Sequence, residues 1–144
     1  MTISRTVLNS WTILAIDDEP DSLEVVTRIL RFHGASIVTG CNGQEGLELA
    51  RKVHPHLIIS DISMPVLDGW GLIYELKKDR TTLNIPAIAL TAHAMPGDRS
   101  RAISAGFHNY LTKPLTAKSF MSDLLILLLE MPEFSALTKG VINE

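Results

Sequence analysis

Residues 12–20 read TILAIDDEP: a short, nearly unbroken apolar run, three consecutive acids and a proline. An apolar run without polar alternation, and too short for a helix, suits a strand buried on both faces of a parallel sheet. Pro20 stands where a helix can begin, because the first turn has no use for the N–H that proline lacks. Leu23, Val26, Ile29 and Leu30 then recur at helical spacing up to Gly34. This stretch therefore predicts a strand, an acidic strand end and a helix. The rest of the chain repeats that unit. Residues 35–39 (ASIVT), 57–60 (LIIS), 87–90 (AIAL) and 109–111 (NYL) read as four more strands. Residues 43–53, 71–78, 99–105 and 116–130 carry helical periodicity, with Leu47, Ala50 and Val53, or Leu72, Ile73 and Leu76, as apolar stripes.

Strict alternation of strand and helix with short loops implies a parallel sheet with helices on both faces. Each crossover is expected to be right-handed. Five strands in a chain of 144 residues fit a flavodoxin-like, doubly wound α/β fold with strand order 2-1-3-4-5 and five flanking helices. The division expected is an N-terminal extension (1–11), one domain (12–131) and a C-terminal tail (132–144).

Composition narrows the function classes. With 46% apolar residues the chain can bury a core without disulfides or structural metal. A net charge of −3 argues against nucleic acid as a partner, since phosphate-backbone binding requires a concentrated basic surface. The single cysteine, Cys41, excludes an intramolecular disulfide and a cysteine metal site. The first eleven residues lack the apolar core of a signal peptide, and the apolar run 124–129 is too short to span a bilayer. The expectation is a soluble, cytoplasmic protein that uses no membrane.

In an open parallel sheet, ligands bind beyond the carboxyl ends of the strands, where the strand order reverses. Here that edge collects Asp17, Asp18 and Glu19 after the first strand and Asp61 after the third. Thr91 follows from the fourth strand and Lys113 from beyond the fifth. Two carboxylates at about 4 Å repel by roughly 4 kcal/mol at an effective dielectric near 20. Such a cluster must be protonated, paired with a base, or given a cation. One lysine against three carboxylates, with hard oxygen ligands and no His or Cys, selects Mg²⁺ or a similar ion. An aspartate can act as nucleophile toward phosphorus, and Thr91 and Lys113 supply donor and charge for phosphoryl oxygens. Pro114 restricts the backbone of Lys113 to extended conformations, and a cis bond there would fix the aim of the lysine.

Four strings, in this order, carry a resemblance: AIDDEP (15–20), ISDISMPVLDG (59–69), ALTA (89–92) and YLTKP (110–114). Each is weak alone; together, each after its own strand, they closely resemble the receiver domain of two-component response regulators. The likeness covers roughly residues 12–130 and is strongest to stand-alone relay receivers and to receivers of hybrid kinases. It implies that Asp61 accepts a phosphoryl group from a phosphohistidine of a histidine kinase or histidine phosphotransfer protein. It implies Mg²⁺ held by Asp17, Asp18, Asp61 and the backbone carbonyl of Ser63, with Thr91 and Lys113 on the phosphoryl oxygens. Tyr110 matches an aromatic switch that turns inward as Thr91 moves toward the phosphate. Ser63 and His93 occupy the two positions that tune dephosphorylation. Met64-Pro65 and Asp68-Gly69 match the loop and turn after the acceptor. The output would be a downstream protein effector reading the surface around the fourth helix, fifth strand and fifth helix.

Plainer readings stand beside these. Asp17 and Asp18 can be strand-end solvation, Thr91 an ordinary strand-end hydroxyl, and Tyr110 a half-buried edge residue. His33, His54, His56 and His108 share no ligand spacing and read as surface or loop residues. Cys41 reads as a small, partly buried hydrophobe, and Trp11 and Trp70 as packing anchors rather than ligand stackers. The last helix is apolar almost all round, which requires a cover. Either the tail folds back through Phe134, Leu137 and Val141, or a second subunit docks in a homodimer. Two other functions compete: a binding module independent of phosphorylation, and an aspartyl-phosphate phosphatase. The latter ordinarily places nucleophile and acid two residues apart at one strand end beneath a substrate cap; here the nucleophile candidate is on the third strand, and no insertion is long enough for a cap.

Overall fold

The computed structural model of the protein describes residues 3–92, 96–113 and 116–131. His93, Pro114 and the tail residues Phe134, Leu137 and Val141 lie outside the described residues, and with them the readings placed there. Five parallel strands, β1 (Thr12–Ile16), β2 (Ser36–Gly40), β3 (Leu57–Asp61), β4 (Ala87–Thr91) and β5 (Asn109–Thr112), form one sheet in the order β2-β1-β3-β4-β5. Helices α1 (Pro20–Phe32), α2 (Gly43–Val53), α3 (Gly69–Lys78), α4 (Asp98–Ala105) and α5 (Ala117–Leu128) connect or follow them. This is the doubly wound order expected from the sequence.

Alternation along the central strands divides the core into two layers. Ile13 and Ala15 of β1, Leu57 and Ile59 of β3, and Ile88 and Leu90 of β4 pack with α1 and α5 residues such as Val26, Leu30, Phe120 and Leu124. Leu14, Ile16, Ile58, Ala87 and Ala89 point the other way, onto Leu47, Leu72, Ile73, Leu76 and Ala102 of α2, α3 and α4. Burial on both faces explains why β1, β3 and β4 read as unbroken apolar runs, whereas β2 at the edge is only partly covered.

Boundaries moved where a cap decides them. Helix α3 begins at Gly69, two residues before the expected start at Gly71, because the Asp68 carboxylate accepts the N–H of Gly71 at 2.8 Å. Gly69 is required there: a Cβ would lie 2.6 Å from the carbonyl oxygen of Asp61. Asn42 caps α2 by accepting from Glu45 N–H, and Thr116 caps α5 by accepting from Ser119 N–H.

The apolar surround of α5 also has an answer. Phe120, Met121, Leu124, Leu125 and Leu128 are buried, in one cluster with Val7, Leu8 and Trp11. The segment before β1 thus enters the α1–α5 layer, with Leu8 fully buried and its N–H donated to the His33 carbonyl at 2.9 Å. Ile126 and Leu129 remain exposed. Cys41 corrects the sequence reading: it is exposed, and its thiol donates to the Glu45 carboxylate at 3.2 Å. No helix of the described residues is long and apolar enough to cross a membrane.

Candidate functional site

Register brings the acids together. Ile16 pairs with Ser60, so Asp17, one residue past β1, lies beside Asp61, the last residue of β3. Asp61 pairs in turn with Leu90, one residue before Thr91. Thr91 pairs with Thr112, and the next N–H, that of Lys113, donates to the Thr91 carbonyl at 2.8 Å. Parallel strands of similar length therefore deliver four functional side chains to one edge without any long-range loop.

Lys113 is the centre of the charge arrangement. Its side chain is 9% exposed, and its ammonium lies 2.8 Å from Asp17, 3.1 Å from Glu19 and 3.8 Å from Asp61. Burial works against the charged ammonium. Hydrogen bonds to Asp17 and Glu19 and the attraction of Asp17 and Asp61 outweigh it, so its pKa stands above the ordinary lysine value. The longest of the three contacts goes to Asp61, whose carboxyl remains the least compensated. Burial first, and the Asp17 charge second, push Asp61 up from 3.8 to about 6, against the pull of Lys113.

Among the described residues, oxygens of Asp17, Glu19 and Asp61 lie within 4.8 Å of one another. This donor set is all oxygen and anionic, with repulsion at Asp61 that a hard divalent cation relieves, so the residues fit Mg²⁺. Asp18 is exposed and outside that trio, although it lines the same cleft and adds to the negative field on Asp61. Glu19, which the sequence reading did not assign to the ion, completes this trio. Its side chain is 62% exposed, and it is held by Lys113 rather than by burial. Ser63 is exposed at the rim.

The cleft has a volume of about 390 Å³. Asp18, Asp61 and Ser63, from β1 and β3 and the loops after them, line it together with Thr91, Ala102 and Tyr110, from β4, α4 and β5. Tyr110 is half-buried, with the Arg99 guanidinium 4.8 Å from its ring centre. Sequence reasoning missed Trp70, Asp98 and Arg101, which also line the cleft. They come from α3 and α4, whose pairing no local sequence pattern announces. Trp70 is not only a packing anchor, because the Arg101 guanidinium stacks 4.0 Å over its ring.

The loop leaving β3 is strained. Val66 has φ of 71°, and the Leu67 N–H donates back to the Pro65 carbonyl at 2.8 Å. This is a γ-turn with positive φ, rare for any residue and unfavourable for a β-branched one. The loop is closed by Gly69 N–H to the Ile62 carbonyl at 2.7 Å and by Gly43 N–H to the Leu67 carbonyl at 3.0 Å. The first contact holds the loop against the end of β3, and the second ties it to the start of α2.

Comparison with known proteins agrees with this geometry. The chain belongs to the response regulator receiver domain family, which matches residues 13–125. Receiver domains are signalling switches of two-component systems rather than enzymes of the ordinary kind, and they bind Mg²⁺ at an acidic pocket. The chain is 40% identical over 108 residues to the "uncharacterized 14.6 kDa protein in sodA1 3'region" of Leptolyngbya boryana, covering 75% of this chain and 82% of that protein. It is 34% identical over 121 residues to the probable transcriptional regulator ycf27 of Cyanophora paradoxa, spanning about half (49%) of that relative's length. Among solved structures it is similar to a response regulator from Desulfuromonas acetoxidans, with a TM-score of 0.75 and 30% identity, over 84% of this chain and 98% of that one.

Proposed function

We propose that this receiver domain accepts a phosphoryl group on Asp61, with Mg²⁺, from the phosphohistidine of a histidine kinase or phosphotransfer protein. The observation that carries the reading is Asp61 itself: a buried carboxylate at a strand end, crowded by Asp17 and shared with Lys113, opening into a cleft beside Thr91. Asp17 and Asp61, with Asp18 or Glu19 and the Ser63 carbonyl, would hold the ion, which supplies positive charge for phosphoryl oxygens. The Asp61 carboxylate attacks phosphorus, and the bond to the donor nitrogen breaks. Lys113 lies near enough to exchange an Asp17 contact for a phosphoryl oxygen, and the Thr91 hydroxyl is a second donor. Ser63 and His93 would set access for the water that later removes the group.

Phosphorylation adds nearly two negative charges. If Thr91 turns toward them, Tyr110 gains room to move inward, and α4 would shift with it. Helix α4 suits a moving part because Ala102 is its only buried residue among those described. Near-complete switching needs about 5.5 kcal/mol of differential stabilisation, within reach of a few charge-assisted hydrogen bonds. The surface of α4, β5 and α5 would then be read by a downstream protein, or by a second copy through α5.

The test is intact mass after incubation with acetyl phosphate or phosphoramidate. One phosphoryl group is expected with Mg²⁺, none with EDTA, and none on Asp61→Asn. Loss of EDTA sensitivity, or an adduct on Asp61→Asn, would refute the assignment.

A further inference from the structure

The described residues that line the cleft include four acids, Asp18, Glu19, Asp61 and Asp98, and a single base, Arg101. The ammonium of Lys113 is held within 3.8 Å of three carboxylates, so its charge is largely committed inside. An anion approaching from solvent therefore meets a negative entrance, with Arg101 as the opposing charge at its mouth.

Arg101 is also positioned, although its side chain is exposed. Its guanidinium lies 4.0 Å over the ring of Trp70, and Trp70 is fixed edge-to-face against the buried Phe107, with ring centres 6.2 Å apart. The neighbouring Ala102 anchors α4 to the core. This contact holds the positive charge over the ring and restrains a side chain that would otherwise be mobile, while its N–H groups can still turn to an anion. Phe107, Trp70 and Arg101 thus form a contiguous wall ending in one positive charge.

We propose that Arg101, seated on Trp70 at the mouth of the cleft, is a specificity-determining residue that favours strongly anionic small phosphodonors on their way to Asp61. The inference rests on the reading of Asp61 as acceptor and adds the class of donor that the cleft selects. In the transfer from acetyl phosphate, an Asp61 oxygen forms the new bond to phosphorus, the old phosphorus–oxygen bond breaks, and acetate leaves with the electron pair. From phosphoramidate, the phosphorus–nitrogen bond breaks and ammonia leaves. Near neutral pH acetyl phosphate carries more negative charge than phosphoramidate, whose nitrogen is protonated, so a charge at the entrance discriminates between them.

The experiment measures phosphorylation rates of the full chain by intact mass, with both donors, at saturating Mg²⁺ and at low and high salt. Wild type is compared with Arg101→Ala, Arg101→Lys and Arg101→Glu. One charge at this range changes a rate by roughly threefold to tenfold at low salt, and much less when screened. Arg101→Ala should therefore slow acetyl phosphate by about that factor and phosphoramidate, with about half the charge, by roughly its square root, about twofold to threefold. Lys should restore most of the rate, and Glu should depress it further. Equal slowing with both donors, insensitive to salt, would reduce Arg101 to a packing role and overturn the proposal. Unchanged rates in the Ala and Glu variants would overturn it as well. A wild-type chain that takes no phosphoryl group from either donor refutes the Asp61 reading itself, and the inference falls with it.

Discussion

Replacing Asp61 by Asn should stabilise the metal-free protein, by an amount that depends on pH in a calculable way. The Asp61 carboxyl is 5% exposed, and its pKa rises from 3.8 to about 6 through burial and the neighbouring Asp17 charge. An acid whose folded-state pKa lies above its unfolded value binds more protons in the native state. Stability attributable to it is therefore present below about pH 4 and is lost as pH rises through about 6. The displacement corresponds to about 2–3 kcal/mol at neutral pH. Asparagine keeps the shape and removes the titration, so carboxylates that do not interact with Asp61 cancel when the variant is subtracted from wild type.

The assay is urea denaturation of both proteins in EDTA, from pH 4 to pH 8, above and below the window. The stability difference should be near zero at the acid end and reach about 2–3 kcal/mol in favour of Asn at the neutral end. Mg²⁺ should then stabilise wild type by about 1.4 kcal/mol at ten times its Kd, and Asn much less. A difference that stays flat across the range would show that Asp61 is not held ionised at a cost. The electrostatic account of the site would then be wrong.

Four further outcomes follow from named contacts. Val66→Asn should stabilise by about 1 kcal/mol in urea denaturation, because asparagine tolerates a φ of 71° better than a β-branched residue. Gly69→Ala should destabilise by about 1–3 kcal/mol, since its Cβ would sit 2.6 Å from the Asp61 carbonyl, and thermal unfolding reads this directly. Leu8→Ala should cost about 2–4 kcal/mol of unfolding free energy, despite lying outside the alternating strand–helix pattern, because Leu8 is fully buried in the α1–α5 layer. Lys113→Met leaves buried Asp17 without its 2.8 Å partner and should cost roughly 2–4 kcal/mol without metal; titration calorimetry should show tighter Mg²⁺ binding, since a competing cation is gone.

The sheet was legible because its central strands are buried on both faces, and that demand writes itself as unbroken apolar runs. TILAI and LIIS could be placed from composition alone. Asp61, Asp17, Thr91 and Lys113 were legible for a related reason: parallel topology converts position at a strand end into proximity in space. What depends on side-chain direction was less so. Asp18 and Glu19 are adjacent in sequence, and only the structure shows Glu19 turned onto Lys113 while Asp18 faces solvent. The Trp70–Arg101 wall joins two helices that meet only through tertiary packing. The burial of Val7 and Leu8 escaped notice because the turn that contains them has neither helical nor strand period.

The site and its surroundings are stable to very different degrees, and that contrast bears on how a switch would run. Asp61 and Asp17 stand at the ends of strands whose residues are nearly all inaccessible, so Asp61 has little freedom to move. Helix α4 also lines the cleft; among its described residues Ala102 alone is fully buried, and it is bounded by Gly97 and Gly106 at positive φ. A charge added at Asp61 must be met by groups that come to it. The groups with freedom to do so are on the α4 side of the cleft, or at the end of the lysine side chain. Rearrangement therefore concentrates where burial is shallow, and the strand framework keeps its register. On the proposed reading, a signal that starts at Asp61 would run toward α4 and β5, because the packing around the cleft is uneven.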